Sequence, residues 1–195
     1  MKEIEYFCAA LVDRANTGRG RRVDVSLRDS LIAVQAGWNA IAFAADTQPE
    51  KTGTASPFLA PNRMFETTDG NFVIAIVSDR HFEIMCEAID RPDLIEPFLG
   101  NDARLARRTE LEAILEPIFA SLPTSHWIDL FTSVGLPCGR VLTLPEVWND
   151  PQVRHNDMVH TYEHPVAGTV RGLGSPIRID GRQTRSDIPP PPLDG

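Results

Sequence analysis

The stretch "MFETTDGNFVIAIVSD", residues 64–79, constrains the fold more than any other. Asp69-Gly70 lies between two runs rich in strand-forming residues. Such a dipeptide reads as a tight hairpin, because the primed turns that match strand twist need positive φ. The second arm, residues 72–77, is almost wholly apolar, which places it centrally in a sheet. The pattern is mixed α and β, and its strands do not alternate strictly with helices. Beyond the hairpin the chain reads as helix and then strand again. Asp79 is expected to cap a helix with Phe82, Met85, Cys86 and Ile89 on one face. Leu111, Leu115, Ile118 and Leu122 predict a helix over 102–122 that Pro117 kinks or divides. Ser125 is expected to cap a further helix, which Gly135 ends. "CGRVLT" returns as a strand. Thr143 and Glu146, with Pro145 between them, open a short helix. Residues 63–145 therefore form a small mixed α/β domain with an antiparallel hairpin sheet.

The flanks differ in kind. Ile4, Phe7, Cys8 and Leu11 repeat at helical spacing, and Gly18 is placed to end that helix. Residues 22–26 alternate, with Val23 and Val25 on one face, and predict a short strand. Ser26 and Asp29 then open an amphipathic helix with Leu27, Leu31, Val34, Trp38 and Ile41 in one stripe. Residues 1–45 thus read as helix-strand-helix, with a strand that needs sheet neighbours. Residues 46–62, with three prolines and little periodicity, predict a linker. Residues 146–195 read as a return segment. "MVHTYEHPVAGTVRGLG" predicts two strands about a Pro-Gly turn, "SPIRI" a third, and "IPPPPLDG" an extended tail.

The net charge of -8 argues against a nucleic-acid surface. No run approaches the roughly 18 apolar residues of a membrane helix. Acidic residues interrupt the apolar start, unlike a signal peptide. Cys8, Cys86 and Cys138 are three, with no CxxC pair, and predict reduced thiols in a cytoplasmic protein.

Candidate chemistry is sparse. Arg19, Arg21 and Arg22, with Gly18 and Gly20, could grip a phosphate, but a P-loop's lysine and hydroxyl are missing, so a solvated loop is the stronger reading. His155, His160 and His164 suggest a metal. If "VHTY" is a strand, however, His160 and His164 stand roughly 13 Å apart, too far for one ion. Cys138 has no recognisable base and reads as a packed thiol. Glu110 and Glu112 read as a solvated helix face.

Four segments together resemble the family III CoA-transferases of the formyl-CoA transferase and carnitine-CoA transferase type. "RANTGRGRRVDVSLRDS" is similar to their TGxGQ-V-D-V-S-L segment, and "FLAPNRMFETTDGNFVIAI" to their P-x-x-x-F-x-T-x-D-G hairpin. "VGLPCGRVLTLPEVWNDPQVRHNDMV" and "HPVAGTVRGLGSPIRI" are similar to two later segments, in the family's order. The resemblance implies a Rossmann-like large domain, a small α/β domain, and two chains interlocked as a homodimer. It implies transfer of coenzyme A, as substrate rather than cofactor, between an acyl-CoA and a carboxylic acid through an aspartyl-CoA thioester, with no metal. By that pattern the aspartate would precede Met1, near the N-terminus of the first helix, where the dipole suits an anion. No catalytic residue is then expected within this sequence, which would be a central and C-terminal portion, inactive alone. The family's mobile glycine loop falls at "KTGTAS", implying a substrate loop at Gly53 and Thr54, with a plain linker turn as the competing reading. An α-methylacyl-CoA racemase of the same fold, a non-catalytic subunit completed by a separate N-terminal chain, and a truncated remnant remain alternatives.

Overall fold

The structure is a computed structural model describing residues 2–46, 48 and 50–184. The chain divides into two compact units, Met1–Gly53 and Thr54–Gly195. The division falls inside the expected linker, residues 46–62.

In the first unit, α1 (Lys2–Thr17) ends at Gly18, whose φ of 69° is the left-handed turn that stops helices. The expected strand at 22–26 does not form. Residues 19–26 are irregular and pair with no strand among the described residues. A strand exists only through a ladder, and alternation at Val23 and Val25 supplies no partner. Ser26 does cap α2 (Leu27–Val34), its Oγ accepting from the Asp29 N–H at 3.3 Å. The long helix then breaks at Gln35, and α3 (Ala36–Ala45) follows. The Ile32 carbonyl accepts from the Gln35 N–H at 3.2 Å and, across the break, from the Asn39 side chain at 2.9 Å.

The second unit holds the core. Strands β1 (Asn62–Glu66), β2 (Asn71–Ala75) and β3 (Cys138–Arg140) form an antiparallel sheet in the order β1-β2-β3, so the apolar arm is central. Phe72 and Ile74 are buried on one face while Val73 is exposed. The hairpin's last pair is Glu66 with Asn71, so its loop is the four residues 67–70 rather than a two-residue turn. Asp69 is recruited elsewhere. Its Oδ1 accepts from the Thr124 N–H at 2.7 Å, capping α7 (Thr124–Ser133), a role the sequence suggested for Ser125. That N–H, and then the Thr124 hydroxyl, hold the Asp69 carboxyl below its ordinary pKa.

Helix α4 (Asp79–Ala88) is capped by Ser78, one residue before the expected Asp79; its Oγ accepts from the His81 N–H at 3.2 Å. The predicted helix 102–122 is two helices, α5 (Asn101–Ala106) and α6 (Arg108–Phe119), parted at Arg107. Pro117 does not divide it. Near the helix's end, proline forfeits one hydrogen bond, whereas the break at Arg107 lets Arg104 turn inward while Leu111, Leu115 and Phe119 bury. Phe119 meets the rings of Phe65, Phe72, Trp127 and Phe131 at 4.8–6.0 Å, mostly edge-on, as ring quadrupoles favour. The buried Trp127 indole donates to the Phe119 carbonyl at 2.9 Å. Gly135, at φ 76°, ends α7, with the Leu136 N–H closing back to Phe131 at 2.8 Å.

Thr143 and Glu146 form the capping box of α8 (Leu144–Asn149), and α9 (Pro151–His155) follows. Strands β4 (Val159–His164) and β5 (Gly168–Leu173) make the predicted hairpin. Tyr162 lies over Gly172, where an added Cβ would come within 2.6 Å of its ring. "SPIRI" does not join that hairpin. Its β6 (Arg178–Ile179) pairs with β7 (Arg182–Gln183) in a separate ribbon. The polyproline tail lies outside the described residues.

Candidate functional site

The connection into β1 is built as part of the second unit. Arg104 is the key. It is 1% exposed, and its Nε donates to the Ala60 carbonyl at 2.6 Å. Its Nη1 donates to Phe98 O at 3.2 Å and to Asp79 Oδ1 at 2.8 Å. The guanidinium also lies over the Phe82 ring, 4.7 Å from its centre. One turn earlier, Asn101 donates to Phe58 O at 2.8 Å and accepts from the Ala60 N–H at 3.2 Å. One turn later, Arg108 Nη2 donates to Ser56 O at 2.5 Å. Asn101 and Arg104 lie in α5 and Arg108 opens α6, so the anchors straddle the break at Arg107. In the sequence these three stand among other polar residues, Asp102 and Arg107 between them, so apolar periodicity does not reveal the anchors.

Gly53 and Thr54 stand at the start of this connection. Gly53 has φ 63°, and a Cβ there would meet nothing within 4 Å. Thr54 Oγ1 accepts from the Met64 N–H at 3.3 Å, which ties it to β1. The two residues are adjacent but differently held.

Of the remaining candidates, Arg21 pairs with Asp13 at 2.7 Å and Arg22 with Asp24 at 2.9 Å, so each has an acidic partner. Tyr6, Arg22, Asp24, Ser26, Asp29 and their neighbours line an open cleft of about 530 Å³ in the first unit. His160 and His164 both lie in β4. His160 Nε2 meets the Tyr162 hydroxyl at 2.5 Å, and His164 Nδ1 accepts from the Val166 and Ala167 N–H groups, closing the hairpin loop. Among the described residues, no three His, Cys, Asp or Glu side chains are grouped to hold an ion. Glu110 pairs with Arg107 at 2.6 Å, and Glu112 with Arg63 at 2.5 Å.

Cys138 packs on α7, its sulfur 3.9 Å from the Ile128 carbonyl. Cys86 is buried, and burial raises its thiol pKa to about 12. Cys8 is exposed. A thiol-specific reagent is therefore expected to modify Cys8 in the native chain and Cys86 only after unfolding, read by mass spectrometry of peptides. Native-state labelling of Cys86 as fast as Cys8 contradicts the packing described.

These features define a mixed α/β chain whose antiparallel hairpin carries an anchored connection at its entry. Among solved structures it is similar to a CAIB/BAIF family protein from Brucella suis, with TM-score 0.80 and 28% identity, covering 98% of this chain and 50% of that one. The model of CoA-transferase family III matches residues 4–195, and the chain belongs to that family. It is 32% identical over 189 residues to the succinyl-CoA:glutarate CoA-transferase of Mus musculus, covering 96% of this chain and 43% of that protein. It is 31% identical to the acetyl-CoA:oxalate CoA-transferase of Acetobacter aceti, covering 97% and 49%. The chain thus spans about half the length of these relatives. No described helix is long and apolar enough to cross a membrane.

Proposed function

We propose that this chain supplies the small domain and part of the large domain of an enzyme that moves coenzyme A from an acyl-CoA to a carboxylic acid. The family match across residues 4–195 carries the reading. In the proposed chemistry an aspartate carboxylate, supplied by polypeptide outside this sequence, attacks the donor thioester and expels the CoA thiolate, leaving a mixed anhydride. The thiolate attacks the aspartyl carbonyl, forming aspartyl-CoA and releasing the donor acid. The acceptor carboxylate then attacks that thioester and expels the thiolate again. The thiolate finally attacks the acceptor acyl carbon and regenerates the aspartate. The exchange is split into acyl transfers of similar difficulty. Gly53 and Thr54 belong to a loop that covers the substrate in this scheme. Assembly as a homodimer of complete subunits, or with a separate N-terminal subunit, and a cytoplasmic location complete the proposal.

Purified alone, the chain is expected to transfer no CoA from succinyl-CoA to glutarate or from acetyl-CoA to oxalate, because binding without the nucleophile gives only residual catalysis. The assay is chromatographic detection of the product thioester. Turnover that disappears on substituting a carboxylate within this chain overturns the assignment of the nucleophile elsewhere.

A further inference from the structure

The connection from Thr54 to Pro61 is held far more firmly than a linker requires. The Asn101 amide donates to Phe58 O and accepts from the Ala60 N–H, two residues on. It thereby imitates a neighbouring strand, which pairs with alternate residues. Arg104 and Arg108 add charge-assisted bonds to the carbonyls of Ala60 and Ser56, stronger than bonds between neutral groups. Arg104 Nη1 is fixed in turn on Phe98 O and Asp79. The segment also closes on the sheet. The Ser56 N–H donates to Asn62 O at 2.8 Å, and the Ile76 N–H to Pro61 O at 3.0 Å. The Phe58 N–H donates to Ser56 Oγ at 3.2 Å, and the Met64 N–H to Thr54 Oγ1 at 3.3 Å. Just before Thr54 stands Gly53, with a left-handed φ and open space where a side chain would be.

We propose that Asn101, Arg104 and Arg108 are positioning residues that clamp residues 56–60 as a fixed rail, so that the substrate loop at Gly53 and Thr54 is anchored at a defined point. The functional meaning rests on the substrate-loop reading above; the clamp itself does not. A lid must close repeatedly to one place, and a loop anchored at a rigid residue reaches fewer conformations than one tethered to slack chain. Glycine at the junction absorbs backbone rotation that other residues disfavour.

Amide hydrogen exchange on the full 195-residue chain tests the clamp, using Asn101→Ala and Arg108→Ala, since Arg104 sits in the core and its loss endangers folding. The Ser56, Phe58 and Ala60 amides are expected to be protected in the parent chain, and the Gly53 amide to exchange freely. Asn101→Ala speeds exchange at Ala60, and Arg108→Ala at Ser56 and Phe58, each by about tenfold, the effect of one lost hydrogen bond. Amides of residues 72–75 keep their rates, and Arg108→Lys, which retains a charged donor, restores part of the protection. Unchanged exchange at 56–60 in both alanine variants overturns the proposal. So does a uniform acceleration that includes 72–75, because the residues would then serve global stability only. The loop's role fails separately: a Gly53→Pro substitution that leaves CoA transfer by the assembled transferase unaltered removes the lid and leaves the clamp standing.

Discussion

Arg104→Ala is expected to destabilise the second unit strongly. The guanidinium is 1% exposed and serves the carbonyls of Ala60 and Phe98, both in buried bonds. Each buried acceptor left unpaired costs about 1–3 kcal/mol, and the cavity and the lost stacking on Phe82 add to that. A loss of about 3 kcal/mol or more is the result, with a fall in Tm on the order of 10 °C for a unit of this size. Arg104→Lys rescues little, because an ammonium cannot present a fork to two carbonyls and a carboxylate. The partner behaves differently. Asp79→Ala removes the exposed partner and leaves the buried guanidinium bonded to both carbonyls but without its carboxylate, so it is expected to destabilise, though less than Arg104→Ala. The asymmetry separates the two effects. If the ion pair dominated, both variants would fall together. If the buried carbonyls dominate, Arg104→Ala falls clearly further than Asp79→Ala. Denaturant unfolding followed by near-ultraviolet circular dichroism measures both, and an Arg104→Ala loss below about 1 kcal/mol defeats the argument.

Legibility in the sequence tracks the range of the interaction. Local devices were legible because their partners are a few residues apart: Gly135 ending α7, Thr143 with Glu146 opening α8, Ser26 capping α2. The hairpin at Asp69 was legible for the same reason, yet the purpose of that aspartate was not. Its partner, Thr124, lies 55 residues on, and a distant N–H competes successfully with the local turn. Arg104 shows the same limit. In the sequence it is one basic residue among several on a helix, whereas in the fold it reaches back 44 residues to Ala60. The strand at residues 22–26 failed for the complementary reason. Alternation describes a residue's readiness to lie in a sheet, and a strand forms only where another segment provides the ladder. For the candidate site, the resemblance pointed to Gly53 and Thr54, and the side chains that hold the connection after them emerged only from the structure.

The first unit is expected to be far less protected than the second when the chain is studied as a monomer. Among its described residues none is buried. Leu27, Leu31, Val34 and Phe43 are 81%, 63%, 74% and 85% exposed, and Tyr6, Phe7 and Val12 are exposed as well. Fully burying one such side chain is worth roughly 1.5–3 kcal/mol, so helices α1 to α3 forgo the term that stabilises most helices in proteins. The backbone of residues 19–26 adds nothing, having no ladder among the described residues to protect its amides. In the second unit, Phe72 and Ile74 are fully buried and β2 is bonded on both sides. Hydrogen exchange should therefore show amides of residues 23–31 exchanging orders of magnitude faster than those of residues 72–75, whose opening approaches global unfolding. A polypeptide that covers the apolar face and pairs with residues 22–26 should slow the first group and leave the second unchanged. The companion measurement is sedimentation, because self-association through the same face would give protection that rises with concentration. Protection of residues 23–31 equal to that of 72–75 in a demonstrated monomer would show that this half of the chain closes on itself.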